Sequence, residues 1–183
     1  MNTVDVSPSG NGRGSDAWLR PWTHLGVDRR SPGYCRLTFD HPPTNTVTAT
    51  TVAELAELVG LIEHDQDLNV VVFDSANPDF YLAHYDDPSR TAAWIEVLVR
   101  LSGAPVVSIA SIRGRARGAG SEFVLACDLR FASRENTLLE IPHVAGDFDG
   151  PRAEQYGYVN RLIADDRLDD EVAAVASRLA GSA

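Results

Sequence analysis

Ser111-Ile112-Arg113-Gly114-Arg115-Ala116-Arg117-Gly118-Ala119-Gly120-Ser121-Glu122 reads as the end of a strand, a glycine-rich turn and the start of a helix. A helix that begins at such a turn has first backbone N–H groups without acceptors of their own. Those donors, with the positive end of the helix dipole, suit an oxyanion. Glycine lets a substrate carbonyl come close to the backbone. One turn into the helix stands a carboxylate, Glu122. Taken alone, the stretch is equally a plain tight turn, with Glu122 placed where a negative charge favours the helix dipole.

The flanking sequence alternates strands and helices. Upstream, Gly103 and Pro105 precede a buried strand over Val106 to Ile112. Residues 91 to 101 read as a helix with Trp94, Ile95, Leu98 and Leu101 on one side. Val70-Val71-Val72-Phe73 is an all-apolar run, as in a strand covered on both faces, and Asn77-Pro78-Asp79 breaks it. Before it, Thr51-Val52-Ala53-Glu54 has the form of a capping box. Behind that box Val52, Leu55, Val59 and Ile62 keep helical spacing to about His64. Tyr34 to Phe39 reads as a strand ended by His41-Pro42-Pro43. Downstream, Leu129 to Ala132 is a strand, and residues 168 to 180 form an amphipathic helix on Leu168, Val172, Val175 and Leu179. The order predicts an α/β protein with a largely parallel sheet.

The 183 residues suffice for one domain, expected over 17–183. Residues 1–16, rich in Ser, Gly and Asn, are expected to be a flexible leader. No run of apolar residues reaches a bilayer span and no secretory signal is evident, so the expected address is the cytoplasm. A formal net charge of −10 argues against nucleic acid and anionic membrane surfaces. Cys35 and Cys127 lack metal-ligand spacing and read as structural thiols, so no metal site is expected. Arg113, Arg115 and Arg117 gather positive charge within five positions, either as a solvated turn or as a place for phosphates.

Three separated motifs carry a family resemblance. The central one is Arg113-Gly114 followed by Arg117-Gly118-Ala119-Gly120-Ser121-Glu122-Phe123-Val124-Leu125-Ala126-Cys127-Asp128 and the strand after it. Upstream lies Leu37-Thr38-Phe39-Asp40-His41-Pro42-Pro43-Thr44-Asn45, and downstream Ala153-Glu154-Gln155-Tyr156-Gly157-Tyr158-Val159-Asn160. In that order they resemble the crotonase (enoyl-CoA hydratase/isomerase) family over about residues 34 to 180. The resemblance implies a crotonase-like ββα spiral core, here truncated. By that resemblance, the segment that normally walls the acyl pocket is expected to have no counterpart between Val144 and Gly150, and the later helices none after Ala183.

Carried over residue by residue, the resemblance implies an oxyanion hole made by the backbone N–H groups of Ala119 and Tyr85. Tyr85 lies in Phe80-Tyr81-Leu82-Ala83-His84-Tyr85-Asp86, similar to the family's Phe-Ser-Ala-Gly-x-Asp stretch. Ala83, His84 and Gly118 would be substrate-binding, with His84 standing where relatives have glycine. Pro88 stands where a CoA-binding lysine is often found. Glu122 falls on the first catalytic glutamate. The position of the second falls at Pro142, or at His143 with a slip of one, and Glu140 is the nearby carboxylate that could assist.

The implied function is hydration or isomerisation of a 2-enoyl-CoA thioester, with CoA part of the substrate and no separate cofactor. The alternative is a catalytically silent acyl-CoA-binding or assembly protein; a degenerate remnant without stable function is a third reading. Loss of covering helices predicts a homo-oligomer.

Overall fold

The computed structural model describes residues 17–141 and 146–181. The expected leader, Pro142 and His143 lie outside the described residues. Among the described residues, eight strands form one sheet. They are β1 (Leu25–Ser31), β2 (Tyr34–Phe39), β3 (Val70–Ser75), β4 (Phe80–Leu82), β5 (Val107–Ala116), β6 (Leu129–Glu140), β7 (Asp147–Asp149) and β8 (Arg161–Ile163). The helices are α1 (Ala49–His64), α2 (Thr91–Ser102), α3 (Ala119–Ala126), α4 (Gly150–Gln155) and α5 (Leu168–Ala180). The main path runs β1-β2-β3-β5-β6-β7, with β4 beside β5 and β8 beside β6. β1/β2 and β6/β7 are antiparallel, and the other pairings are parallel.

The long strands β5 and β6 serve two parts of the sheet. Val107 to Ala110 pair with β3, whereas Arg115 and Ala116 pair with β4. Between Ile112 and Gly114 the β5/β6 register slips. Gly114 has φ 76°, and a Cβ there would stand 2.4 Å from the Asp79 carbonyl carbon. Only glycine permits both, so this residue lets the chain turn from one layer into the next.

Strand alternation divides the core. Val71 and Phe73 enter the larger cluster with α1, α2 and α3, where Phe39, Phe73, Tyr81, Trp94 and Phe123 meet. Phe123 lies edge-on to Phe73 at 4.9 Å and to Phe39 at 5.1 Å. Val70 and Val72 face the other way, onto Leu168, Val172 and Ala176 of α5. Each large buried side chain contributes about 1.5–3 kcal/mol. Asp128 pins the α3–β6 junction to β5, its carboxylate accepting from Ser108 N–H at 2.8 Å and Ser108 O–H at 2.7 Å.

Several expectations need correction. The N-cap of α1 is Thr48, which accepts the Thr51 N–H at 3.2 Å. The capping box therefore joins Thr48 to Thr51, and Glu54 is free to accept the N–H groups of Thr23 (2.6 Å) and His24 (2.9 Å). On α2, Ile95 is 48% exposed, and Val97 joins Trp94, Leu98 and Leu101 inside. The short strand expected at 129 to 132 continues to Glu140, and β1, β4, β7, β8 and α4 had no strong periodicity to announce them.

Candidate active site

Three segments meet at the N-terminus of α3. The first is the turn itself. Gly118 has φ 51°, and a Cβ there would lie 2.3 Å from His84 Nδ1. Ala119 then heads α3, where no preceding turn offers its N–H a carbonyl. Gly120 N–H folds back to the Arg117 carbonyl at 2.9 Å, and Ser121 O–H closes onto the Ala116 carbonyl at 2.8 Å. Gly120 is forced by contact: a Cβ would stand 2.0 Å from the Leu82 oxygen.

The second segment is the loop after β4. Arg117 N–H donates to the Leu82 carbonyl at 3.1 Å, tying turn and loop together. Val47 bridges Tyr85 in parallel: its N–H donates to the His84 carbonyl, and its own carbonyl accepts from Asp86, each at 3.0 Å. This bridge uses the groups either side of Tyr85, so the Tyr85 N–H points to the other side of the strand. His84 occupies the family's glycine position without strain, because Asn45 is the one non-glycine residue with positive φ among the described residues.

Asn45 anchors the third segment. It is 1% exposed, and its side-chain amide donates to Ser75 Oγ (2.8 Å), Tyr81 O (3.1 Å) and Phe80 O (3.2 Å). Its Oδ1 accepts the His41 N–H at 2.7 Å, and its carbonyl receives the Ala83 N–H at 3.1 Å. One side chain thus ties the loop to both β3 and the segment before α1.

Glu122 sits one turn into α3, half-buried, and its Oε2 accepts a hydrogen bond from the Tyr85 hydroxyl. Burial, and after it the Glu122 carboxylate, raise the Tyr85 phenol well above its ordinary range, so it remains a donor. Glu140 lies elsewhere. It accepts the Gly118 N–H at 3.1 Å, and His84 Nε2 stands 3.7 Å from the same oxygen. His84 and Tyr85 are consecutive on an extended segment, so their side chains leave it on opposite sides. Glu122 is therefore met on the Tyr85 side and Glu140 on the His84 side.

Ala83, His84 and Tyr85 line a shallow groove of about 270 Å³ with Thr44, Thr46, Phe80 and Arg117. Ala119, at the head of α3, is fully buried. The expected arginine cluster is split. Arg113 is held by Asp165 at 2.9 Å and Asp169 at 3.4 Å, whereas Arg117 pairs with Asp147 at 2.5 Å. Arg115 is exposed, with its guanidinium 5.7 Å from the Phe80 ring centre. Among the described residues no three His, Cys, Asp or Glu side chains gather as a metal site, and no helix is long and apolar enough to cross a membrane.

The Tyr85 hydroxyl and the Asn45 anchor were not foreseen. The available signal was the asparagine in Pro42-Pro43-Thr44-Asn45, a residue that tolerates the φ of 53° the turn gives it. Nothing local announced the contact between Tyr85 and Glu122, which are 37 positions apart.

Residues 29–141 match the family model for enoyl-CoA hydratase/isomerase, and the chain belongs to that family. A crystal structure of a provisionally assigned enoyl-CoA hydratase from Streptomyces avermitilis superimposes with a TM-score of 0.82. It is 35% identical and covers 88% of this chain and 73% of its own. An enoyl-CoA hydratase from Mycobacterium smegmatis gives a TM-score of 0.79 at 25% identity, over 86% of this chain and 77% of that one. The fatty acid oxidation complex subunit alpha of Idiomarina loihiensis is 29% identical over 127 residues. That match spans 62% of this chain and 18% of the relative's length.

Proposed function

We propose that the protein binds an acyl-CoA thioester at the α3 N-terminus and hydrates or isomerises a 2-enoyl-CoA there. The thioester carbonyl is taken by the N–H groups of Ala119 and Tyr85, which draw charge onto its oxygen. In hydration, Glu122 takes a proton from water as the water oxygen bonds to C3, and passes that proton on to C2, so that one water adds across the double bond and the carboxylate is restored. Ala83, His84 and Gly118 supply the backbone along which the CoA portion lies. One observation carries this reading: Glu122 is hydrogen-bonded by Tyr85 of the same loop whose Leu82 and His84 pack against Gly120 and Gly118 at the head of α3. Glu140, fixed to Gly118 N–H, holds the turn in this scheme and takes its part through the backbone.

A second reading, a catalytically silent acyl-CoA-binding protein, is favoured by the full burial of Ala119 and by the placement of Glu140 away from the Tyr85 side. One pair of measurements on purified protein separates the two readings. Absorbance loss of a short 2-enoyl-CoA together with thioester binding supports the enzyme. Binding without turnover selects the silent module. Neither one overturns both.

We also propose self-association in the cytoplasm. Ile95 and Val99 lie one turn apart on α2 at 48% and 64% exposure, apolar surface that a second copy would cover. Light scattering that reports a monomer at micromolar concentration would refute this.

A further inference from the structure

Tyr85 enters the functional reading through its backbone N–H, yet its side chain makes the more specific contact. The hydroxyl donates to one carboxylate oxygen of Glu122, the residue assigned to proton transfer. The ring is not free to leave. It stands edge-on to Trp94, with centroids 6.3 Å apart and planes at 87°. Trp94 is fully buried and packs in turn on Phe123, the residue after Glu122, at 6.0 Å. The Tyr85 backbone is clamped by the Val47 bridge. Phenol, indole and Phe123 thus form a chain of contacts that runs from the loop back to α3 beside Glu122.

We infer that the Tyr85 phenol is a positioning residue for Glu122. It holds Oε2, fixes the carboxylate in one rotamer, and leaves Oε1 to take the proton. This rests on the functional reading for its catalytic meaning, but the contact stands without it. A second carboxylate facing Glu122 would orient water and also repel the first charge. A neutral donor orders the carboxylate without adding a second charge. Because the same residue offers its N–H to the thioester oxygen, a shift of the loop moves the carbonyl site and the base together. The other ionisable groups of the loop are engaged elsewhere: His84 is turned to Glu140 and Asp86 to Arg90 at 3.0 Å. Trp94 and Phe123, packed against the ring and α3, bring no charge.

Tyr85→Phe removes the hydroxyl and keeps both the ring against Trp94 and the backbone N–H. In protein labelled with ¹³C at glutamate carboxyl carbons, the Glu122 resonance is the one lost in Glu122→Gln. At fixed pH its chemical shift should change in Tyr85→Phe while the other glutamate resonances stay in place, because its hydrogen-bond partner is gone. In the active enzyme kcat should fall about tenfold with KM within about twofold, the loss of one charge-assisted hydrogen bond to the proton-transfer group. Near-UV circular dichroism checks that the variant is folded. If it is not, the wild-type Tyr85 phenol proton decides: one protected from exchange with water and close to the Glu122 side chain supports the inference, and one in free exchange overturns it. An unchanged Glu122 resonance in folded Tyr85→Phe overturns it as well. A wild type without turnover removes the functional reading, while the resonance still decides the pairing.

Discussion

The carboxylate of Glu140 accepts the N–H of Gly118 at 3.1 Å, so the last residue of β6 holds the turn that opens α3. Glu140→Ala leaves that N–H without its acceptor. Because the side chain is 40% exposed, water replaces part of the interaction, and the expected cost is about 1 kcal/mol. Urea unfolding measures it. If Glu140 holds the turn rather than moving protons, Glu140→Gln should retain most activity, since the amide oxygen still accepts. A loss from Glu140→Gln as large as that from Glu122→Gln would give Glu140 a chemical part instead.

Gly120→Ala should be poorly tolerated. The new methyl would stand 2.0 Å from the Leu82 oxygen and 2.7 Å from its carbonyl carbon, both backbone atoms that cannot rotate aside. Overpacking of this kind costs about 1–3 kcal/mol. The loop must also shift at Leu82, three residues before Tyr85. The midpoint of urea unfolding should fall, together with thioester affinity.

Asn45→Asp tests the anchor beneath the loop. Aspartate tolerates the φ of 53° but has no amide to donate to Tyr81 O and Phe80 O. A carboxylate facing two carbonyls in a site 1% exposed should cost about 2–4 kcal/mol. An unfolding midpoint equal to wild type would show that the anchor adds nothing.

These contacts show what local sequence could and could not convey. Short-range signals were sufficient for α5, whose apolar residues keep their helical spacing, and for β3, whose all-apolar run matches its two-sided burial. The strand-turn-helix at Gly118 was equally legible, because glycines at φ 51° and against Leu82 O leave few other conformations. The α1 cap was misplaced because Thr51-x-x-Glu54 fits the capping pattern, but folding draws Glu54 to the N–H groups of Thr23 and His24, 31 and 30 positions away, and leaves the cap to Thr48. The arginine cluster looked local, but its outcome depends on Asp165, Asp169 and Asp147, which folding brings in from 30 or more positions away.

His24 provides a pH test. Burial first, and then the stacked His41 ring with its centroid at 3.7 Å, lower the His24 pKa from its ordinary 6.5, against a smaller opposing pull from Glu54. The unfolded chain therefore takes up a proton before the folded one does. The His24 contribution is fully present above about pH 6.5 and is lost as pH falls toward the folded pKa, by at most about 1.4 kcal/mol per pH unit. Thermal unfolding followed from pH 7.5 to 5.5 should show a smaller decline in His24→Gln than in wild type. Parallel declines would remove His24 from the account.

The central claim is that Glu122 transfers the proton for a thioester held at the head of α3. Turnover of a short 2-enoyl-CoA by wild type and Glu122→Gln, with thioester binding measured on the same preparations, tests it most directly. Glutamine keeps the shape and can still accept from Tyr85, but it cannot take the proton. Turnover should fall by roughly 10²–10⁴ while affinity stays within a few-fold. An active wild type matched by Glu122→Gln would contradict the claim.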